Sequence, residues 1–515
     1  MTMMWPLPAQ GKGLDVAAHL AELTGLVETA AREGLPAHEL ERGLWQHLLR
    51  LGHDLQAQYF ALAGDGDCGE TLTLADGRGV QRWPELHSRP YQSVFGDFAV
   101  PRVVYGTREG QRIEAAPLDA RLGLPQDRCS YLLRDWNQAL VVETPYAQVN
   151  AVLARILGLK QSVASLETMT QTLAGAVAGY EAARPAPAPA TGQQIVVLSA
   201  DGKGVPLRKP ADAPAIAAHD HARGPKPDRK KMAVLGAAYQ IEPHVRTPLA
   251  VVEALFRDPA APAPVDRTGP RRPVPHEKRV CAVLPVAAAV AEALAPPRPV
   301  EVVFPWLQAE ARRRDPDHHH SWVLLMDGQT SLWDAAAATL GDAPRVEILD
   351  LLHATGYLWE AVHLFHDPGS DLALKWMKVL TLGLLSGMGT GVICWLQHLA
   401  EQSELPAATR SRLAEIHGYF DRHRDRIHYD RYLAAGDPIA SGVIEGACRH
   451  VVKDRMERAG MHWTLPGAQA LLNLRCVALN DEWGPFMNHH IQRETARLYA
   501  NIPIKPKSAH LRLVA

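Results

Sequence analysis

The sequence has few cysteines, no long apolar run and no large excess of charge of either sign. The six cysteines stand singly, without a Cys-x-x-Cys pair, which argues against both a disulfide framework and a thiolate zinc site. No run of 18 apolar residues occurs, and the N-terminal MTMMWPLPAQGKG lacks the apolar core of a secretion signal. We therefore expect a cytoplasmic protein with no membrane partner.

Length and charge set the next limits. The 515 residues are 47% hydrophobic, enough for several cores, and a prior of roughly 150 residues per domain gives three or four units. The formal net charge is −2, so any affinity for nucleic acid has to come from local basic patches. Composition alone does not indicate DNA binding.

The N-terminal third alternates between helical and strand patterns. Apolar residues recur at helical spacing over 14–63, short β-branched or aromatic segments follow over 70–115, and helical spacing returns over 129–182. Within the last region, AQVNAVLARILGLKQSVASLETMTQTLAG predicts a helix, a tight turn and a second helix. This is the pattern of a helix-turn-helix, although an ordinary α-hairpin would give the same signal.

A Pro/Ala-rich segment, ARPAPAPATG, predicts a linker between two independently folding parts. Beyond it, QQIVVLSADGKGV and KKMAVLGAAYQI predict strands, and PLAVVEALF predicts a third strand or a strand entering a helix. SWVLLMDGQ predicts a later strand, VEILDLLHATGYLWEAVHLF a strand that turns into a helix, and 370–430 is helical. Three strands, a helix, a strand, a helix-bearing connection and another strand fit a ribonuclease H-like mixed sheet.

Two apolar strands are each followed by Asp-Gly, at Asp201 and Asp327, and Glu445 lies in the first turns of a predicted helix after Pro438 and Ser441. We expect each aspartate to stand where its strand ends in a turn. Carboxylates from separate elements are what two hard cations need to cleave a phosphodiester, with the metals about 3.5 to 4 Å apart. The aspartates can also be turn residues that bond their own backbone. A zinc site at 317–320 (DHHH) is a further alternative to a solvated loop.

Several segments resemble the transposases of the Kra-type insertion-sequence family. They include PELHSRPYQSVFGDFAVPRVVYGTREGQ, PLDARLGLP, YLLRDWNQALVVETPYAQV, SADGKGV, GDPIASGVIEGACRHVVKDRMERAGMHWT and ALLNLRC, spread over about 70–485. Residues 439–442 read IASG where the family pattern differs. Relatives often resemble a cysteine-paired ribbon in the N-terminal strand region, whereas this chain has no Cys-x-x-Cys there.

The resemblance implies a DDE transposase related to Mutator-like elements, with the catalytic, metal-binding carboxylates at Asp201, Asp327 and Glu445. It implies Mg²⁺ or Mn²⁺, two ions, and a nucleoid-associated bacterial enzyme that binds terminal inverted repeats and target DNA as a homodimer. Water would first be activated to cut at the element end, and the freed 3′-hydroxyl would then attack target DNA.

The fold class expected is multidomain α+β: a helical and small-sheet DNA-binding region, then a ribonuclease H-like core with a helical insertion before the catalytic Glu. The predicted layout is a helical region (1–65), a β-rich region (66–128), a helix-turn-helix-like region (129–182), a linker (183–194), the core's first part (195–365), the insertion (366–436), the core's last part (437–490) and a tail (491–515).

Residues around the three carboxylates are candidates for further roles. Asp350 and His353 (DLLH) share one helix face and are interpreted as an auxiliary pair, or else as a helix cap. Residues 203–231 hold eight Lys or Arg against three Asp, a patch that can neutralise phosphates, and 267–279 is similarly basic. The DNA-binding candidates are Lys203, Arg208, Lys230, Lys231, Arg449, Lys453, Arg455, Trp395 and Trp463, the tryptophans as base-stacking groups or as core residues.

Two other functions compete with the transposase. The segment DGQTSLWD resembles the phosphate loop of an actin-like sugar kinase or ATPase, although a second phosphate loop and a Gly-Gly adenosine motif are missing. The other is a domesticated DNA-binding protein that has lost catalysis. The three acidic residues argue against that alternative.

Overall fold

The structure is a computed structural model that describes residues 16–108, 112–187, 192–208, 230–257, 272–285, 296–458 and 460–503. Parts of the predicted linker, of the basic segments 203–231 and 267–279, and of the predicted tail lie outside these residues. None of the helices in the described ranges combines the length and apolarity that a membrane span requires.

The elements follow one another in this order. The helices are α1 Val16–Glu33, α2 Ala37–Ala63, α3 Pro117–Leu122, α4 Tyr131–Val141, α5 Tyr146–Leu157, α6 Val163–Ala174, α7 Val177–Ala183, α8 Pro248–Leu255, α9 Pro299–Arg314, α10 Thr330–Leu340, α11 Leu351–His363, α12 Asp371–Leu385, α13 Gly389–Glu401, α14 Ala407–Arg422, α15 Tyr429–Ala435, α16 Gly442–Ala447, α17 Asp454–Met456, α18 Leu465–Leu479 and α19 Trp483–Leu498. The strands are β1 Thr71–Thr73, β2 Gly79–Arg82, β3 His87–Ser93, β4 Gly96–Arg102, β5 Tyr105–Gly106, β6 Ile195–Pro206, β7 Lys230–Ile241, β8 His276–Val283, β9 Ser321–Met326 and β10 Val346–Leu349.

The chain divides into two compact units. The first consists of residues 1–176 and 483–515, and the second of residues 177–482. The division therefore falls before α7, whereas the sequence analysis placed it in the Pro/Ala segment at 183–194. The reason is that α7, with its buried Tyr180, belongs to the second unit.

The second unit is built on a five-stranded mixed sheet with the strand order β10-β9-β6-β7-β8. β6 pairs antiparallel with β7, and β7 pairs antiparallel with β8. β9 pairs in parallel with both β6 and β10. The expected mixed α+β class is confirmed.

The third strand of this sheet differs from the expectation. The segment PLAVVEALF forms helix α8, because Pro248 occupies the first helical turn and the hydroxyl of Thr247 accepts the N–H of Ala250. The third strand is β8, which draws its first residues from a segment that the sequence analysis interpreted as a flexible connection. The apolar periodicity of this segment is compatible with both a strand and a helix, and the residues at its N-terminus favour the helix.

Both faces of the sheet are buried. On one face, residues of β6 and β9 such as Val197 and Val323 pack against α11 and the helices α12 to α15. On the other face, residues such as Leu198 and Leu324 pack against α9 and α10. Strands buried on both sides appear in sequence as nearly continuous apolar runs, which is the pattern that revealed β6 and β9.

The first unit joins helices to small antiparallel sheets. β1, β2 and β5 form one sheet, β3 and β4 form a hairpin, and α1 packs against α2. The predicted helix-turn-helix pattern forms as α5 and α6. Gly158, at φ 71°, ends α5 in the left-handed conformation, and the Ser162 side chain caps α6 by accepting the N–H of Ser165.

A buried ion pair ties α19 to α4 within the first unit. Arg134, 2% exposed, donates to the Glu494 carboxylate at 2.9 Å, and His490 lies between them with Nε2 2.9 Å from the Arg134 guanidinium. Burial tends to raise the pKa of Glu494, but the hydrogen bond from His490 and the charge of Arg134 outweigh it and hold the pKa at about 2. The pair is therefore charged throughout the neutral range.

Replacing Arg134 with alanine should lower the free energy of unfolding by about 3 kcal/mol, because the buried Glu494 carboxylate loses its cation. In the wild-type protein the stabilisation is complete above pH 4.5, the ordinary pKa of Glu, and is lost as the pH falls towards 2. Urea titrations followed by circular dichroism should give a smaller acid-induced loss of stability in Arg134→Ala. The exposed Arg155 on α5 provides the control, since Arg155→Ala should change neither quantity. Equal pH dependence in wild type and Arg134→Ala would contradict the expectation.

Candidate active site

The pairing of β6 with β9 brings two candidate aspartates side by side. The parallel register joins Ile195 with Ser321 and Leu198 with Leu324. Continued three residues further, the same register sets Asp201 opposite Asp327. Neighbouring strands lie about 4.8 Å apart, so the two backbones are adjacent at this edge of the sheet.

A third aspartate continues the row on the next strand. β9 and β10 pair Met326 with Leu349, which sets Asp350 opposite Asp327. The N–H of Asp350 donates to the carbonyl of Met326 at 2.8 Å, so the backbone contact extends to this position. Three acidic residues thus stand in a row, with Asp201 inside β6 and with Asp327 and Asp350 directly after β9 and β10.

Asp201 and Asp327 face the same side of the sheet. Side chains alternate along a strand, and Val197 and Val323 both point into the cluster formed with α11 and the helices α12 to α15. Asp201 lies four residues after Val197, and Asp327 lies four residues after Val323. Both carboxylates are therefore directed towards that helical side.

The prediction that Asp201 ends its strand is wrong. β6 continues to Pro206, and Asp201 pairs with Leu235 of β7 inside the strand. β6 continues beyond the end of its pairing with β9, because β7 pairs with β6 along the whole length of the strand. A Cβ at Gly204 would approach the flexible side chain of Lys230, 3.0 Å from its Cδ.

Asp327 is held from several directions. Its Oδ1 accepts the N–H of Gln329 at 3.0 Å, and its carbonyl accepts the indole N–H of Trp333 at 2.6 Å. Burial raises the pKa of Asp327 against the opposing hydrogen bond from Gln329, and the neighbouring Asp201 carboxylate raises it further. A cation placed between the two carboxylates would relieve this repulsion.

Asp350 is fully buried and orients His353. The Asp350 Oδ1 accepts the N–H of Ser441 at 2.8 Å, and Oδ2 accepts both the N–H of His353 at 3.0 Å and its Nδ1 at 2.7 Å. Asp350 thereby caps α11, as one of the two alternatives for this pair required. The hydrogen bond to Asp350 raises the pKa of His353 to about 9 against the effect of burial.

Glu445 lies in the first turn of α16, where the sequence predicted it. A π-helical segment, Cys448–Lys453, follows directly and continues into α17. The Cys448 thiol donates to Asp201 Oδ2 at 3.2 Å, and both Asp201 and Glu445 act on it, after burial, to raise its pKa. Cys448 therefore connects the helix that carries Glu445 with the strand that carries Asp201.

One group of residues has the geometry to hold a metal ion. Ligand atoms of Asp350, His353 and Glu445 lie within 4.8 Å of one another. Asp201 and Asp327 also act on the pKa of His353 through their charges, so they border the same group. Carboxylate oxygens are typical ligands of Mg²⁺, Ca²⁺ and Mn²⁺, whereas imidazole is typical of Zn²⁺ and other transition metals. The five side chains form an acidic cluster, and the sequence analysis had regarded Asp350 and His353 only as auxiliary to it.

The predicted basic residues divide into two kinds. Lys203 follows Asp201 by two positions, on the same face of β6, and its charge lowers the pKa of Cys448. Lys231 is exposed at the start of β7. Arg208 is exposed but donates to the carbonyl of His462 at 3.1 Å, and Lys230 pairs with a glutamate at 2.8 Å.

Arg455 does not have the exposure that the predicted DNA contact requires, whereas Trp463 is half-buried. Arg455 is 0% exposed, with its guanidinium 5.0 Å from the ring centroid of Trp463. Trp463 donates its indole N–H to Met456 and pairs with Leu207 at the end of β6. Both side chains hold the loop after α17 to the sheet, because an aromatic face and a guanidinium stabilise each other when buried.

Arg449 and Lys453 remain exposed, as contacts with DNA require. Both lie in the π-helical segment, whose hydrogen bonds run from i to i+5, and their sharing of a face with Glu445 stays a prediction. Arg449 lies 3.6 Å from Asp454.

Trp395 is half-buried behind a more exposed tryptophan. Its ring stacks on Trp376 with the centroids 6.1 Å apart and an angle of 18° between the planes. Trp376 on α12 is 39% exposed, and the sequence analysis missed it. Leu372, Trp376 and Val379 recur at helical spacing along α12, and this apolar stripe was the signal in the sequence. All three side chains are exposed.

The alternative zinc segment at 317–320 is a loop in which Asp317 and His319 are exposed and the two other histidines are half-buried. The side chains of Asp317 and His319 are about three-quarters exposed and 3.8 Å apart. Among the residues that the structure describes, the group suited to a metal is at Asp350, His353 and Glu445 instead.

Compared with protein-family models and with curated proteins, the chain matches none. The functional interpretation therefore depends on the residues and their geometry.

In the metal-free protein, the imidazole of His353 should titrate near pH 9, and Asp350→Asn should bring its pKa down towards the ordinary 6.5. Because the folded-state pKa is the higher one, the interaction stabilises the fold fully below pH 6.5 and ceases to do so as the pH rises through 9. Proton NMR of the imidazole measures the pKa. The exposed Asp317→Asn is the control and should leave the His353 titration unchanged. An unaltered titration in Asp350→Asn would refute the assignment.

Proposed function

We propose that the chain is a DDE-type insertion-sequence transposase, which uses divalent cations to cut and join DNA at the ends of its own element. The observation that carries the proposal is the row of Asp201, Asp327 and Asp350 on adjacent strands, next to the helix of Glu445. An acidic cluster of this density on the edge of a sheet suits binding of cations and, through them, of phosphates.

The core would be ribonuclease H-like. Its elements run as two strands, a short helix, a third strand, a helix, a strand, a helix and a strand, which is the order expected of that fold with α8 added before the third strand. The helices α12 to α15 stand between the last strand and Glu445, as expected of an insertion before the catalytic glutamate. Both features support the family that the sequence resembles.

Asp201, Asp327 and Glu445 are the proposed ligands of two Mg²⁺ or Mn²⁺ ions. When bound, such ions activate the attacking oxygen and stabilise the leaving oxygen of the phosphodiester. The oxygen donors fit these cations, and the raised pKa of Asp327 reflects burial and negative charge that a cation would offset.

The remaining residues of the cluster have supporting roles in this proposal. Asp350 fixes the His353 ring through Nδ1 and leaves Nε2 for a phosphate oxygen. The pKa of about 9 keeps His353 cationic at neutral pH before metals bind, which favours contact with the DNA backbone. Lys203, on the face of Asp201, would hold an adjacent phosphate.

Binding of the terminal repeats is assigned to the helix-turn-helix of the first unit. The outward side of α6 carries side chains that can read base edges, Thr168, Gln171 and Thr172, while Leu166 and Leu173 are buried. Joining two element ends requires two such units, so we expect a homodimer on DNA, in the cytoplasm.

The competing sugar kinase is disfavoured at Gly328. A phosphate loop needs open space beside its glycine, but the ring of Tyr419 covers this one, and a Cβ at Gly328 would lie 2.8 Å from the Tyr419 hydroxyl. The ring of Tyr419 therefore occupies the space beside Gly328 that a phosphate loop would keep open.

The variants Asp201→Asn, Asp327→Asn and Glu445→Gln should each reduce Mg²⁺-dependent strand cleavage by at least about a hundredfold, because each removes a charged ligand oxygen. The measurement uses duplex DNA that carries the inverted repeats flanking the gene. Asp317→Asn is the matched control and should cleave normally.

Thermal unfolding accompanies each assay, so that loss of folding is recognised. Wild-type protein that binds the repeats without cleaving them would favour the domesticated DNA-binding protein. Full activity in Asp201→Asn would rule out the proposed ligand set.

Affinity for the repeats should fall as salt rises, because released counterions drive phosphate binding. Lys203→Ala and Lys231→Ala should each flatten the plot of log K against log salt by about one unit, whereas Arg298→Ala should not. Arg298 is the control because its guanidinium pairs with Glu301 of its own helix. Unchanged slopes in both lysine variants would remove these residues from the interface.

A further inference from the structure

The helices between β10 and Glu445 contribute a buried tyrosine beside the acidic cluster. Tyr419 on α14 is 5% exposed. Its ring stacks on Tyr357 of α11 with the centroids 3.9 Å apart, and it meets Phe420 edge-on at 5.4 Å. Packing on these sides leaves the ring little freedom.

The hydroxyl of Tyr419 is buried without a hydrogen-bond partner in the described structure. Two nearby buried tyrosines differ in this respect. Tyr429 donates to the carbonyl of Leu349 at 2.8 Å, and Tyr432 donates to the carbonyl of Glu347 at 3.1 Å. A buried hydroxyl without a hydrogen-bond partner destabilises the fold, and a phenylalanine could fill the same space without that cost. The presence of tyrosine at this position therefore needs an explanation other than packing.

The hydroxyl points to the turn that carries Asp327. It lies 2.8 Å from the place where a Cβ of Gly328 would stand, so only glycine admits Tyr419 here. Burial, the stacked Tyr357 and the carboxylates of Asp327 and Asp350 all raise the pKa of Tyr419. The phenol therefore stays protonated. A hydrogen bond from its O–H to an anionic oxygen would stabilise it.

We propose that Tyr419 is a positioning residue of the metal site, whose hydroxyl donates a hydrogen bond to the Asp327 carboxylate once that carboxylate turns to hold a cation. The inference rests on the proposed function, because it assumes that Asp327 is a metal ligand. Partners of this kind orient ligands, and their removal typically weakens metal binding by 10- to 100-fold.

Tyr419→Phe separates this role from packing. In the metal-free full-length protein, the variant should unfold at the same temperature as wild type or higher, because it removes an unpaired polar group. Its Kd for Mn²⁺, measured by electron paramagnetic resonance of the free ion, should rise about tenfold. Tyr432→Phe is the matched control: it loses a paired hydroxyl, so its melting temperature should fall while its Kd for Mn²⁺ stays unchanged.

The outcomes are distinguishable. Mn²⁺ binding that Asp327→Asn abolishes and Tyr419→Phe leaves intact would overturn the inference and retain the proposed function. A melting temperature of Tyr419→Phe as low as that of Tyr432→Phe would also overturn it, since the hydroxyl would then serve the fold. Absence of Mn²⁺ binding in the wild type would overturn the proposed metal site itself.

Discussion

The parallel pairing of β9 with both β6 and β10 is the constraint on which the site depends. Because the registers run in step, the acidic residue of each strand reaches the same edge, and Asp201, Asp327 and Asp350 stand together. Like charges repel at this spacing, and the pKa of Asp327 rises accordingly, after the effect of burial. Hydrophobic packing on both faces of the sheet supplies the energy that holds them there.

Asp350 extends that constraint to the helix of the third predicted ligand. Its buried carboxylate accepts the N–H of Ser441, and the N–H of Leu351 donates to the carbonyl of Ile439. The segment before α16 is thus hydrogen-bonded to the end of β10, and this fixes the position of the first turn of α16, which carries Glu445. A long helical insertion can intervene in sequence because this local fastening restores the geometry.

Much of this arrangement could be predicted from the sequence, and the exceptions have physical reasons. Apolar runs revealed β6, β9 and β10, and Ser441 with Pro438 marked the start of α16, since these signals are local. β8 was missed because its pairing with β7 compensates for a polar sequence. The burial of Arg455 depends on the loop that returns Trp463 to it, and the partnership of Cys448 with Asp201 and the position of Tyr419 depend on contacts between distant segments. The three-residue spacing of Glu445 and Cys448 on one helix was the available hint for the second of these.

The first unit takes its last helix from the far end of the chain, and this has a bearing on biosynthesis. Glu494 is translated 360 residues after Arg134, so at 5 to 20 residues per second the arginine waits roughly 20 to 70 seconds for its partner. The second unit is therefore fully translated before the last helix of the first unit is made. A nascent chain released early would carry the residues of the acidic cluster and a first unit without its last helix.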